Sequence, residues 1–132
     1  MKILYQILSL DTIYAGRTIY HGYKNAFESL GHQFLPYTPD DDLEEMFHNF
    51  EPDILMTGLG RTALRFINFE VLNKYKKRGL KVFVNIPFWH SPLSKFRLNE
   101  SPGLKDNKRY VDLIKNSQFG DCYYNICEQD DR

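Results

Sequence analysis

The chain has 132 residues, 17 basic against 17 acidic side chains, 42% hydrophobic residues and 15% aromatics. That length suits one ordinary domain spanning residues 1–132, and a formal charge of zero counts against a partner captured by bulk charge, such as nucleic acid or an anionic membrane. The run Ile3 to Leu10 is broken by Gln6 and stops at Asp11, too short and too polar for a signal-peptide core or a transmembrane segment, so the expectation is a soluble cytoplasmic domain.

Five short apolar runs alternate with four segments of helical period, which reads as an α/β domain, a Rossmann-like three-layer arrangement with helices on both faces of a parallel sheet. Strand one is read as Lys2 to Leu8, near-continuously apolar as befits a strand covered on both sides. Helix one shows a stripe of Ile19, Tyr23, Ala26, Phe27 and Leu30 and ends at Gly31, a natural left-handed cap. Strand two, Gln33 to Tyr37, is shorter and more polar.

Asp41 with Glu44 forms a carboxylate variant of the capping box before helix two, whose apolar face is Leu43, Met46, Phe47 and Phe50 and which Pro52 stops. Strand three is Ile54 to Thr57. Helix three runs from about Thr62, with Leu64, Ile67, Val71, Leu72 and Tyr75 inward and Lys74, Lys76, Lys77 and Arg78 near the negative end of its dipole, until Gly79. Strand four is Val82 to Ile86. Pro87 to Lys105 is the one long irregular stretch, a length that is usually functional or disordered. Helix four starts near Asp106, and strand five is Cys122 to Ile126. Cys122 and Cys127 are five apart and fall on opposite faces of that strand, so reduced thiols are expected. A strand with no helix after it leads to the expectation that the chain is a fragment of something longer. The strand order stays open between 3-2-1-4-5, a Rossmann-type half, and 2-1-3-4-5, the flavodoxin type.

In an open parallel sheet, ligands sit outside the carboxyl ends of the strands. The residues there are Asp11, Thr12, Tyr14, Gly16 and Arg17 after strand one, and Gly58, Gly60, Arg61 and Thr62 after strand three. Strand four is followed by Phe88, Trp89, His90 and Ser91, and strand five by Glu128. Gly58-Leu59-Gly60-Arg61-Thr62-Ala63 fits the G-x-G-x-x-G/A pattern but follows the third strand, and the acid wanted about 20 residues on is replaced by Asn85 and Ile86. A milder reading is an anion cradle made by backbone N–H groups and Arg61; the bland one is a tight turn that needs its glycines. His90 could take a proton from a hydroxyl near neutral pH. Tyr14 and Trp89 are the aromatics expected in the crevice, the rest being mostly core.

His21, His32 and His48 show no metal-ligand spacing, so no metal is expected. Asp40 to Asp42 read as a cap cluster. A response-regulator reading needs acids at the end of strand one and again after strand three; Asp11 is present, but strand three ends in Thr57-Gly58, and the reading is set aside.

Met1-Lys2-Ile3-Leu4-Tyr5, the glycine after strand one, and Phe27-Glu28-Ser29-Leu30-Gly31-His32-Gln33-Phe34 together resemble the N-terminal domain of GT-B glycosyltransferases, closest in style to family 4-like and spore-maturation-type members. Glu51-Pro52-Asp53-Ile54-Leu55 and Gly79 to Ile86 leading into Trp89-His90 carry the same resemblance. It implies a two-domain enzyme that moves a sugar from a nucleotide-sugar donor to a sugar or glycan acceptor hydroxyl. This half would form the acceptor side and bind no cofactor itself, and a missing C-terminal domain would hold the donor. It further implies that His90 lies near the acceptor or donor sugar, that Gly16 is the loop glycine approaching the donor phosphates, and that the isolated chain is inactive. Two other readings stand beside it: a stand-alone Rossmann- or flavodoxin-like module that binds a nucleotide or phosphorylated metabolite without catalysis, and an interaction domain whose exposed aromatics dock a protein.

Overall fold

A computed structural model describes residues 1–11, 15–58, 61–85 and 120–124. The stretch Pro87 to Lys105, the helix expected from Asp106, the last two residues of the expected strand five, and Cys127 lie outside them. In chain order the elements are β1 (Lys2–Gln6), α1 (Ala15–Ser29), β2 (Gln33–Tyr37), α2 (Leu43–Phe50), β3 (Ile54–Gly58), α3 (Arg61–Arg65), α4 (Phe69–Lys76), β4 (Lys81–Asn85) and β5 (Cys122–Tyr124). The five strands form one parallel sheet in the order β2-β1-β3-β4-β5. This is the flavodoxin-type order, and it closes the question the sequence left open.

The layers follow from that order. The chain steps from β1 to β2 in one direction and through every later strand in the other, so right-handed crossovers put α1 on the opposite face from α2, α3 and α4. The side chains agree. Tyr20 of α1 is buried with Ile3, Ile7, Phe34 and Met56 on one face, while Leu43 and Phe47 of α2, Leu64 of α3 and Leu72 of α4 are buried with Leu4, Leu55, Val82 and Val84 on the other. Ile3 and Leu4, consecutive in β1, are both wholly buried, which a strand permits only when both faces are covered.

β2 is an edge strand and carries Pro36. Gln33 N donates to the Met1 carbonyl at 3.0 Å and Ile7 N donates to the Tyr37 carbonyl at 2.9 Å, so positions 33, 35 and 37 turn their backbone groups toward β1. Pro36 therefore faces outward. The N–H it lacks is not one the ladder uses, and its absence blunts an edge open to further pairing.

Three local readings need correction. The α1 stripe is Tyr20 with the half-buried Ile19, Tyr23 and Phe27, whereas Ala26 and Leu30 are exposed, Leu30 at 71%. The cap of α2 is Asp42, whose Oδ1 accepts from Glu45 N at 2.8 Å; Asp41 instead accepts from the Thr38 N–H and hydroxyl and closes the preceding turn. Helix three is two helices. Asn68 caps α4 by accepting from the N–H groups of Glu70 and Val71, and the break exposes the Phe66 carbonyl, which accepts from the Tyr37 hydroxyl at 2.7 Å. Gly31 and Gly79 do end their helices in the left-handed region, at φ of 85° and 110°, where a side chain would strain the turn.

Candidate functional site

The carboxyl ends of β1 and β3 lie side by side at the point where the chain reverses its direction across the sheet. One residue beyond the Tyr5 and Met56 pairing, Gln6 stands next to Thr57, and these are the buried polar side chains of the described core, 8% and 3% exposed. Their groups satisfy one another. The Thr57 hydroxyl donates to Gln6 Oε1, and Gln6 Nε2 donates to the Ala63 carbonyl in α3 at 2.8 Å. The arrangement ties β1, β3 and the start of the following helix together, as a buried amide must be tied. It also fixes the chemistry: the one hydroxyl proton of Thr57 is committed to Gln6, so the end of β3 offers neither a carboxylate nor a free hydroxyl.

Gly58 follows, in register with Asn85 of β4, which is in register with Tyr124 of β5. Asn85 and Tyr23 of α1 are the polar neighbours that act on the Tyr124 hydroxyl. Burial is the chief reason that the Tyr124 hydroxyl titrates far above the usual tyrosine range, with Tyr23 adding to the rise and the Asn85 bond opposing it. Burial likewise pushes Tyr5 up to about 12, helped by Tyr23, and raises Tyr20. These phenols stay protonated at physiological pH. They are donors and acceptors, not bases.

α1 opens over the same end. Its first turn carries no acidic residue, and Ala15, Gly16, Arg17 and Thr18 are all exposed there. The positive end of the helix dipole and the Arg17 guanidinium thus meet solvent beside β1. Across the switch point Arg61 opens α3 three residues after Gly58. Of the sequence-derived candidates, Gly16 and Arg17 sit at the head of α1 and Gly58 and Arg61 bracket the β3–α3 turn; Tyr14, Gly60, Trp89, His90 and Ser91 lie outside the described residues. Gly16 is the second residue of a helix, not a loop glycine.

Sequence reasoning missed Gln6, Thr57, Asn85, Tyr23 and Tyr124. Gln6 left a usable signal: an amide interrupting an apolar run in a strand buried on both faces demands a polar partner at the same level. The helical stripe marks Tyr23 as core only.

No family model matches the chain, and no curated protein matches it. Among solved structures it is similar to the receiver domain of Francisella response regulator 1452, at 12% identity and a TM-score of 0.52, over 95% of this chain and 83% of that one. This supports the flavodoxin-like α/β fold. It corrects the resemblance to the N-terminal half of a GT-B glycosyltransferase, and with it the sugar-transfer activity and sugar acceptor: the likeness is to a receiver domain, and β1 has β3 as its second neighbour, where the order 3-2-1-4-5 would give it β4. Among the described residues no helix is long and apolar enough to cross a membrane.

Proposed function

We propose that the chain is a flavodoxin-like binding module that holds a nucleotide or phosphorylated metabolite at the carboxyl ends of β1 and β3, without chemistry on it. The observation that carries this is the exposed, acid-free first turn of α1, with Arg17, opening at the sheet's switch point. A helix amino end offers N–H donors and a positive dipole to a phosphate, and a guanidinium adds charge-assisted bonds. Phosphotransfer to the chain itself is not part of the reading, because β3 ends in Thr57 and Gly58, and the Thr57 hydroxyl is buried and bonded. The free thiol of Cys122 suits a reducing compartment such as the cytoplasm.

Calorimetric titration with AMP, ADP, FMN and inorganic phosphate tests the reading. At least one organic phosphate should bind tenfold or more tightly than inorganic phosphate, and Arg17→Gln should weaken it about tenfold. Binding no tighter than that of inorganic phosphate across the set would overturn the proposal.

A further inference from the structure

The opposite end of the sheet holds a cavity of about 310 Å³ between the carboxyl ends of α2 and α4, lined by Phe47, Glu51, Asp53, Tyr75, Arg78 and Leu80 among others. That volume is at the lower bound of small-molecule sites, which run from about 300 Å³ upward. Its apolar wall is the half-buried Tyr75 ring, backed from behind by the wholly buried Phe47 at 4.9 Å between centroids and by Leu80, 6% exposed.

Its charges are of both signs. The Arg78 guanidinium lies 5.0 Å from the Tyr75 ring centroid, held by a cation–π contact. Lys74, which also approaches Tyr75, is engaged by Glu44 at 2.6 Å; Arg78 and Glu51 have no ion-pair partner among the described residues. Asp53 accepts from Lys2 N at 2.7 Å through Oδ2, and Oδ1 has no partner of its own among the described residues. Both helices present their negative dipole ends at this side, which adds to the field of Glu51 and Asp53 and favours a cation there. Glu51 occupies its place at a cost, since it is a non-glycine residue with φ of 51°. Strain of this kind tends to collect where a side chain is needed.

An apolar wall beside a guanidinium and a Glu51 carboxylate without ion-pair partners among the described residues, and one spare oxygen of Asp53, is complementary to a small molecule that carries an anion, a cation and an apolar body. We infer that the amino-end cavity binds a free α-amino acid with an apolar side chain, its carboxylate on Arg78, its ammonium on Glu51 and Asp53, and its side chain against the half-buried Tyr75 ring. This site lies at the other end of the strands from the phosphate site, so the two readings stand or fall separately.

The test is an amide NMR titration of the chain with L-phenylalanine and L-leucine. Two single-charge analogues stand beside them: L-phenylalaninamide, the cationic end of a peptide, and N-acetyl-L-phenylalanine, the anionic end. Saturable shifts are expected at Glu51, Gly79 and Leu80 with the free amino acids, and about tenfold weaker binding with either analogue. Glu51→Gln and Arg78→Gln, both at exposed positions, should each weaken binding about tenfold while leaving the rest of the spectrum folded. Absence of saturable shifts at these amides up to about 10 mM amino acid, or an analogue binding as tightly as its parent, would overturn the inference.

Discussion

The two faces of the sheet are built from different materials. Under α2, α3 and α4 the core is chiefly aliphatic, with Leu4, Leu55, Leu72, Val82 and Val84 showing no exposure at all. Under α1 it is aromatic: Tyr5 lies within 6 Å of the ring centroids of Tyr20, Tyr23 and Phe34, and Phe27 stacks on Phe34 at 5.7 Å. The aliphatic face is held by close packing, and its few polar atoms, the Tyr37 hydroxyl and the Gln6 and Thr57 side chains, are bonded within the core. A tyrosine face keeps its hydroxyls near water or near one another, and so it can reach the polar carboxyl end through Tyr23, Tyr124 and Asn85. The difference assigns stability mainly to one face and the border of the candidate site to the other.

The largest effect should come from the aliphatic face. Phe47 is wholly buried and touches Tyr75, so Phe47→Ala should cost about 3–5 kcal/mol by the loss of contacts and the cavity left behind. Urea denaturation measures it, and a loss below that of Phe27→Ala, on a half-buried ring of the other face, would reverse the ranking of the faces. Thr57→Val comes next. It keeps the shape but leaves Gln6 Oε1 buried without its donor, and should cost about 1–3 kcal/mol, relieved when Gln6 is changed to Leu as well. If the double variant is no more stable than the single, the two side chains are not coupled.

The layered α/β architecture was legible because buried strands and amphipathic helices write different periods into the chain, and the span of β2 was read without error. Boundaries decided by a single side chain were not. Asp41 and Asp42 are adjacent carboxylates, and only the backbone conformation of residue 42 shows which one caps α2. Asn68 splits a pattern that looks continuous, because Leu64, Ile67, Leu72 and Tyr75 stay on one side across the break. Strand order was invisible for a different reason: it is set by which strands share a ladder, and local periodicity carries no record of that. The glycosyltransferase reading rested on short stretches such as Phe27 to Phe34 and Glu51 to Leu55, which are compatible with either order. The position of Gly16 and Arg17 after β1 was legible, and both lie in the first turn of α1, whereas Asn85 and Tyr124 meet only through the β4–β5 register.

A smaller effect belongs to the aromatic face and to alkaline pH. Unfolded tyrosine titrates near about 10, whereas folded Tyr5 is pushed up to about 12 and Tyr124 is also raised, burial being the main cause in both. Above about pH 10 the unfolded chain loses protons that the folded chain keeps, so stability is complete below that pH and declines as the pH rises toward and through the folded values. Melting temperatures between pH 9 and 12 should fall, and Tyr5→Phe should flatten the fall by removing one of the groups responsible. An unchanged slope would mean that the aromatic face is wet enough to titrate normally.

The smallest effect has the opposite sign and lies beneath the aliphatic face. Glu51 caps α2 in the left-handed region while its N–H donates to the Phe47 carbonyl at 3.0 Å, and Pro52 behind it forbids any continuation of the helix. Glycine can hold the same φ and ψ and make the same bond without the Cβ clash, which costs an ordinary residue about 1–2 kcal/mol. Glycine also gives the unfolded chain more freedom, which takes back about 0.5–1 kcal/mol of that relief. Glu51→Gly should therefore stabilise the fold by up to about 1 kcal/mol in urea denaturation while removing a carboxylate from the amino-end cavity. A loss of stability instead would show that the Glu51 side chain is already engaged in holding the fold, and would remove it from the groups free to meet a ligand.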